Sequence, residues 1–367
     1  MLRCTLMFIS ATLVGGCIAM DWDYSEGQDP SAGGTPGGTS ASSGGGTTSG
    51  SSSSGGGGTT TGRCGAEDNI PVVSQLAGNM NLPRALAVDA DSVYWSTDGL
   101  QGDEGYIWKA GKLGGQPEQI SPLGGRIAQA MVVDETHIYW IEQGFDCATD
   151  PGQDRLQRVA KDGSFGGEPE TAWVGCGRPT AITHDAENIY VTMFDEDRVQ
   201  RHSKAAGDQV DIALGEDEPV GIATDESAVY WANAWDEEII RFDKQQGTRS
   251  LFAVSEEEPS GVAVDAESVF WITEHQVVRL DKATPGGEPK VIAQGLGTAN
   301  RLAVDDRFVY VSDIANGQVL RGCKDGSGAP VALAGDQGEP ISLVVDTMGV
   351  YWTNHLGGQV MAAFFAP

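Results

Sequence analysis

The chain has 367 residues, 40% of them hydrophobic, with 52 acidic against 23 basic side chains and a net charge of −29. That balance excludes the basic footprint that nucleic-acid binding needs, and it repels anionic lipid headgroups. The apolar fraction is sufficient for a folded core of ordinary size.

Residues 1–16 carry one early cation, Arg3, and then a mostly apolar run from Leu6 to Val14. The run is too short to span a bilayer and fits a secretory signal peptide. Val14-Gly15-Gly16-Cys17 resembles a bacterial lipobox, which implies lipid attachment at Cys17. Residues 17–63 follow as a tether, almost wholly Gly, Ser and Thr from Ser31 onward. Such a segment cannot bury enough apolar surface to offset the entropy of ordering. As a Gly/Ser coil of roughly 45 residues it would span on the order of 35–40 Å. A lipid-anchored position in the bacterial cell envelope, periplasmic or at the cell surface, is the expectation.

Residues 64–367 are organised around a repeated triplet. Val93-Tyr94-Trp95 recurs as Ile138-Tyr139-Trp140, Ile189-Tyr190-Val191, Val229-Tyr230-Trp231, Val269-Phe270-Trp271, Val309-Tyr310-Val311 and Val350-Tyr351-Trp352. Successive aromatics are 45, 51, 40, 40, 40 and 41 residues apart, and an aspartate stands five residues before each: Asp89, Asp134, Asp185, Asp225, Asp265, Asp305 and Asp346. A period near 40 marks a repeat architecture. Within the copy at Pro259–Ala293, four short apolar runs alternate with turn residues, which predicts a four-stranded antiparallel sheet. The aromatic run does not alternate apolar with polar, so both faces of strand two are expected to be buried between neighbouring sheets. The repeated aspartates fit a turn between strands one and two. Lysines close strand three at Lys112, Lys161, Lys204, Lys244, Lys282 and Lys324, each with a cation three residues earlier (Lys109, Arg158, Arg201, Arg241, Arg279, Arg321). Most of the basic charge therefore belongs to the repeat.

The last copy supplies three strands, and Ile70–Gly78 matches the missing fourth. The expected fold is all-β: a seven-bladed β-propeller of four-stranded antiparallel blades, closed by an N-terminal strand pairing with the C-terminal blade, which leaves no open sheet edge. Val-Tyr-Trp-Ser-Thr-Asp at 93–98 and Val-Tyr-Trp-Thr-Asn at 350–354 resemble the YWTD repeat of LDL-receptor-type propellers. The Pro-x-x-Leu-Ala-Val-Asp opening at 83–89 is similar to NHL-repeat and streptogramin-lyase-type propellers. Val191 and Val311 depart from the YWTD pattern. These families include binding modules, scaffolds and a few enzymes.

Of six cysteines, Cys4 leaves with the signal and Cys17 takes lipid, so Cys64, Cys147, Cys176 and Cys323 remain in a compartment that permits disulfides. The blade arrangement selects Cys147–Cys176 and Cys64–Cys323 among the three possible pairings. No zinc spacing and no EF-hand loop occurs; Asp146, Asp150 and Asp154 are the nearest acidic cluster, and no metal or cofactor is expected.

A site should lie where the repeats differ. The loops from strand two to three, and from strand four to the next strand one, fall on one face around the axis. They bring Asp98, Gln143, Phe145, Phe194, Asn233, Trp235, Glu274, His275, Asp313, Asn354 and His355 to that face, with Arg84, Thr180, Asn300 and Arg301 just inside it. Arg84, Phe194, Trp235, Glu274, His275, Arg301 and His355 form the expected ligand-binding set, and the two arginines suit a carboxylate or sulfate. His184 fits a core position. The expected function is a monomeric, non-catalytic binding or protein-interaction module for an envelope protein, glycan or small molecule, working through this face. The resemblance implies the alternative, a lyase or hydrolase of the streptogramin-lyase-like type acting on a small molecule; Glu274, His275 and His355 could supply an acid and bases, and no catalytic residue is assigned.

Overall fold

The computed structural model describes residues 71–98, 104–144, 154–162, 167–205 and 207–365. The signal segment, Cys17, the tether, Cys64, Phe145, Asp146, Cys147 and Asp150 lie outside them. Among the described residues, 28 strands form seven four-stranded antiparallel sheets, and no α-helix occurs. The expected seven-bladed propeller is the fold.

Each blade takes its four strands in chain order. Blade four, for example, is β14 (Pro219–Thr224), β15 (Ala228–Asn233), β16 (Glu238–Asp243) and β17 (Thr248–Val254). The first strands line the axis: β2 (Pro83–Val88), β6 (Ile127–Val133), β10 (Pro179–His184), β14, β18 (Gly261–Val264), β22 (Ala299–Val304) and β26 (Pro340–Val345), with β26 meeting β2 again. Closure is by β1 (Val72–Gly78), which pairs with β28 (Gln359–Phe364) from Val72 opposite Phe364 to Gly78 opposite Gln359. Inner strands approach closely between blades four and five. A Cβ on Gly221 would stand 2.7 Å from Gly261 Cα, so this position admits no side chain.

The aromatic triplets explain why strand two does not alternate. Every seam between blades holds one apolar cluster, and each cluster pairs the tyrosine position of one blade with the tryptophan position of the next. Tyr94 packs with Trp140, Tyr190 with Trp231, Tyr230 with Trp271, Tyr310 with Trp352, and Tyr351 with Trp95. At the two remaining seams Val191 meets the Tyr139 side and Val311 the Phe270 side. The two faces of strand two thus belong to two different cores, and both must be apolar.

The repeated aspartates and lysines do more than make turns. Asp185 Oδ1 accepts the backbone N–H groups of Glu187 and Asn188 at 3.0 and 2.8 Å, while Oδ2 accepts Tyr190 Oη and Lys244 Nζ, both at 2.8 Å. Lys244 belongs to the next blade and also donates to the Asp225 carbonyl at 2.7 Å. The same clasp joins Lys161 to Asp89, Lys204 to Asp134, Lys282 to Asp225, Lys324 to Asp265 and Lys112 to Asp346. Only the seam between blades six and seven differs. There Phe365 stands where the others have lysine and lies against Tyr310, with ring centroids 6.2 Å apart. Burial opposes ionisation of Asp89, but Lys161, Tyr94 and two backbone donors outweigh it and hold the carboxyl at about 2. Charge on this face is therefore committed to holding blades together. His184 is part of the same layer: its Nδ1 lies 3.1 Å from Lys204 Nζ, and burial followed by that lysine's charge lowers its pKa.

Candidate functional site around the axis

The opposite face is built from the loops that follow strand two. Their first residues bond back to the residue preceding strand one of the same blade: Asp98 N to Leu82 O, Phe194 N to Arg178 O, Ala234 N to Glu218 O, Ile314 N to Thr298 O and His355 N to Glu339 O. Both loop sets therefore share one face, as the repeat requires.

Arg84 and Arg301 stand on the axial strands β2 and β22 and have different surroundings. Arg84 is held by Asp98, with Nε 3.0 Å from Oδ1 and Nη2 2.9 Å from Oδ2, and the carboxylate is fully buried. His355 closes this group: its Nδ1 is 3.4 Å from the Pro83 carbonyl and its Nε2 is 3.5 Å from Arg84 Nη2. A ring that donates from Nδ1 presents an acceptor to the guanidinium. Arg301 has no carboxylate partner among the described residues. Its guanidinium donates to the neighbouring Asn300 carbonyl at 3.1 Å. Burial first, and the positive charge of Arg84 second, push its pKa below the ordinary arginine value. Of the two arginines, one is neutralised in place and the other is a charge that the fold accommodates at a cost.

Several residues at or near the strand ends on this face brace the fold. Asn233 and Asn354 donate to Glu216 and Gln337, each at 2.8 Å, and Asp313 accepts Gly297 N and Thr298 N at 2.8 and 3.0 Å. Gln143, Thr180 and Asn300 bond to carbonyls of the next blade, those of Pro179, Pro219 and Ile341. Asp154 is buried and accepts Gly144 N and Arg178 N, a loop anchor.

Others are exposed. Trp235 keeps 59% of its surface. Phe194 carries the Arg178 guanidinium at 4.1 Å from its ring centroid. Glu274 and His275 are both about half exposed, with Oε2 and Nε2 3.8 Å apart, and His275 Nδ1 lies 3.1 Å from the Leu296 carbonyl.

The sequence reading passed over a sector of acids around Trp235. Asp195-Glu196-Asp197, Glu216-Asp217-Glu218 and Glu256-Glu257-Glu258 lie in loops of this face, and Asp236-Glu237-Glu238 runs from such a loop into the first residue of β16. Burial and then Asp236 raise the Asp217 pKa, and burial and then Asp236 raise that of Glu238. Arg249 enters the sector and binds Glu216 at 2.7 Å. The signal was present as acid triplets at matching offsets in successive repeats.

No family model matches the chain, and no curated protein matches it in sequence. Solved structures do. A streptogramin B lyase superposes with a TM-score of 0.64 at 13% identity, covering 80% of this chain and 98% of that one. Virginiamycin B lyase from Staphylococcus aureus gives 0.62 at 12% identity, over 80% and 99% of the two chains. A nidogen/laminin complex gives 0.50 at 18% identity over 65% and 90%, and the WD40 repeats of RRP9 give 0.62 at 11% over 80% and 97%. At these identities the likeness is one of fold. The neighbours include both lyases and a protein complex of nidogen with laminin, so fold alone does not choose between them.

Proposed function

We propose that this chain is an exported, lipid-anchored protein of the bacterial cell envelope whose propeller binds, without catalysis, an anionic group of a ligand or partner through the face that carries Arg301. One observation carries the reading: Arg301 is a partly covered cation on an axial strand, bonded to the Asn300 carbonyl and without a carboxylate partner among the described residues, in a chain of net charge −29. Buried charges without partners are costly, and a carboxylate or sulfate would relieve both the desolvation and the repulsion. The nidogen/laminin complex among the neighbours supports an interaction role for the same architecture.

The test is a thermal-shift titration of the full chain with succinate and with sulfate. The reading expects a saturable rise in melting temperature that Arg301→Gln abolishes. An equal response from the variant, or none from the parent, would reject it.

A lyase or hydrolase is the second reading. It is favoured by the lyase superpositions and by the Glu274–His275 pair, which could pass a proton at this face.

Anchoring at Cys17 is supported by the lipobox resemblance and the Gly/Ser tether, and Cys17→Ser should move the protein to the soluble fraction. The bridges Cys147–Cys176 and Cys64–Cys323 are supported by the blade arrangement and by export, and peptide mapping without reductant would identify the partners.

A further inference from the structure

One blade breaks the repeat beside a cavity. Each tryptophan of strand two is fully buried and carries an indole N–H that needs an acceptor. Trp231 finds Glu216 at 3.0 Å, Trp271 finds Ser255 at 3.1 Å and Trp352 finds Gln337 at 2.8 Å. These three acceptors occupy one structural position. The backbone N–H of each donates to the last loop residue of the preceding blade: Glu216 to Asp197, Ser255 to Glu237 and Gln337 to Gly317. Trp140 uses Glu142 at 2.8 Å instead. Where the tryptophan is Val311, the equivalent position is Leu296, whose N–H bonds to His275 O. Four of the five indoles thus have an acceptor, three of them at this position. In blade one Met80 makes the equivalent backbone bond, to Gly358 O at 3.0 Å, and the Trp95 N–H has no partner among the described residues.

A cavity of about 420 Å³ opens beside Met80, within the range of small-ligand sites. Its wall is aromatic. Trp108, on β4 (Tyr106–Gly111), stacks along Trp95 at 6.5 Å and 7°, and Tyr106 meets Trp108 edge-on at 6.0 Å. Thr97 Oγ1 fixes this wall by accepting Trp108 Nε1 and Tyr106 N, both at 3.1 Å. The rim is polar and exposed: Asn79, Asn81, Glu104 and Gln119.

We infer that this cavity is a carbohydrate-binding site, taking a pyranose ring against the aromatic wall of Trp108 with Tyr106 at its edge. A sugar presents a C–H face to an aromatic wall and hydroxyls that both donate and accept. The carboxamides of Asn79, Asn81 and Gln119 also donate and accept, and Glu104 accepts. A quaternary ammonium would also favour an aromatic wall beside carboxylates, and it is tested as the competing occupant. Asp98, which holds Arg84, borders this cavity, whereas Arg301 does not line it.

The experiment titrates the full chain with cellobiose and with N,N′-diacetylchitobiose, following calorimetry and tryptophan fluorescence. Tetramethylammonium chloride serves as the cation probe. Saturable binding of at least one disaccharide is expected. Trp108→Ala should weaken it about tenfold or more, the loss of roughly one good stacking contact, and Gln119→Ala, at an exposed residue, should weaken it without altering the melt. Met80→Gln restores the acceptor that the last blade has in Gln337 and should melt higher than the parent. Arg301→Gln should bind sugar as the parent does. Binding by neither disaccharide, undiminished binding in both Trp108→Ala and Gln119→Ala, or saturation by tetramethylammonium alone would overturn the assignment.

Discussion

The contrast between Arg84 and Arg301 gives stability changes of opposite sign. Asp98→Asn removes the carboxylate that holds Arg84 and leaves two like charges facing each other. Breaking a buried pair from one side costs about 3–5 kcal/mol. Asp98 is 0% exposed, but Arg84 keeps 20% of its side-chain surface and a contact to His355, so the lower end applies, about 2–3 kcal/mol after discounting for solvent. For a domain of this size each kcal/mol moves the melting temperature by roughly 2 °C, so Asp98→Asn should melt about 4–6 °C below the parent. Arg301→Met keeps an apolar stem and removes a charge that is desolvated and repelled. It should gain on the order of 1 kcal/mol and melt about 2 °C higher. Combined, the two substitutions should cost less than Asp98→Asn alone, because Arg84 no longer faces a second guanidinium. Differential scanning calorimetry at neutral pH measures all three. If Arg301→Met melts as low as Asp98→Asn, Arg301 holds blades together and the assignment of the site falls.

Two further outcomes follow from the clasped face. Lys244→Met removes the donor shared by Asp185 and the Asp225 carbonyl and should cost about 1–2 kcal/mol, read from the urea midpoint at unchanged slope. Stability should also fall with acid in two stages. His202 is held neutral by burial, its pKa lowered to about 4 against an unfolded value near 6.5. The unfolded chain then takes up a proton that the fold does not, and stability declines from pH ~6.5 toward ~4. Asp89, held at about 2 against roughly 3.9 unfolded, contributes stability that is whole above pH ~4 and disappears as pH falls toward 2. Melting temperature against pH should show both limbs; His202→Gln should reduce the upper one, and Asp89→Asn should reduce the lower only in part, because Asp134, Asp185, Asp225 and Asp265 are held low by the same clasp. A curve level from pH 7 to pH 3 would contradict both assignments.

Much of the fold was legible because the repeat states it many times. A triplet such as Val229-Tyr230-Trp231 fixes a strand buried on both sides, and Val72–Gly78 resembles the fourth strands closely enough to place the closure. The aspartates were legible as turn residues but not as clasps. Asp185 and Lys244 are 59 positions apart, and their meeting depends on how blades stack rather than on either neighbourhood. The arginines show the same limit. Arg84 and Arg301 look alike in sequence, and their difference arises because Asp98 reaches one and no described carboxylate reaches the other. Met80 was invisible in another sense. A methionine in a loop carries no signal until the backbone bond to Gly358 shows that it occupies the place of Glu216, Ser255 and Gln337.

Binding through the Arg301 face without turnover is the central claim, and calorimetric titration of succinate into three forms of the full chain tests it most directly. Arg301→Gln should lose affinity by at least about tenfold, the equivalent of roughly 1.4 kcal/mol from one charge-assisted contact. The double variant Glu274→Gln, His275→Gln should bind as the parent does. Unchanged binding in Arg301→Gln together with loss in the Glu274/His275 variant would contradict the claim and move the site to the pair that the enzymatic reading requires.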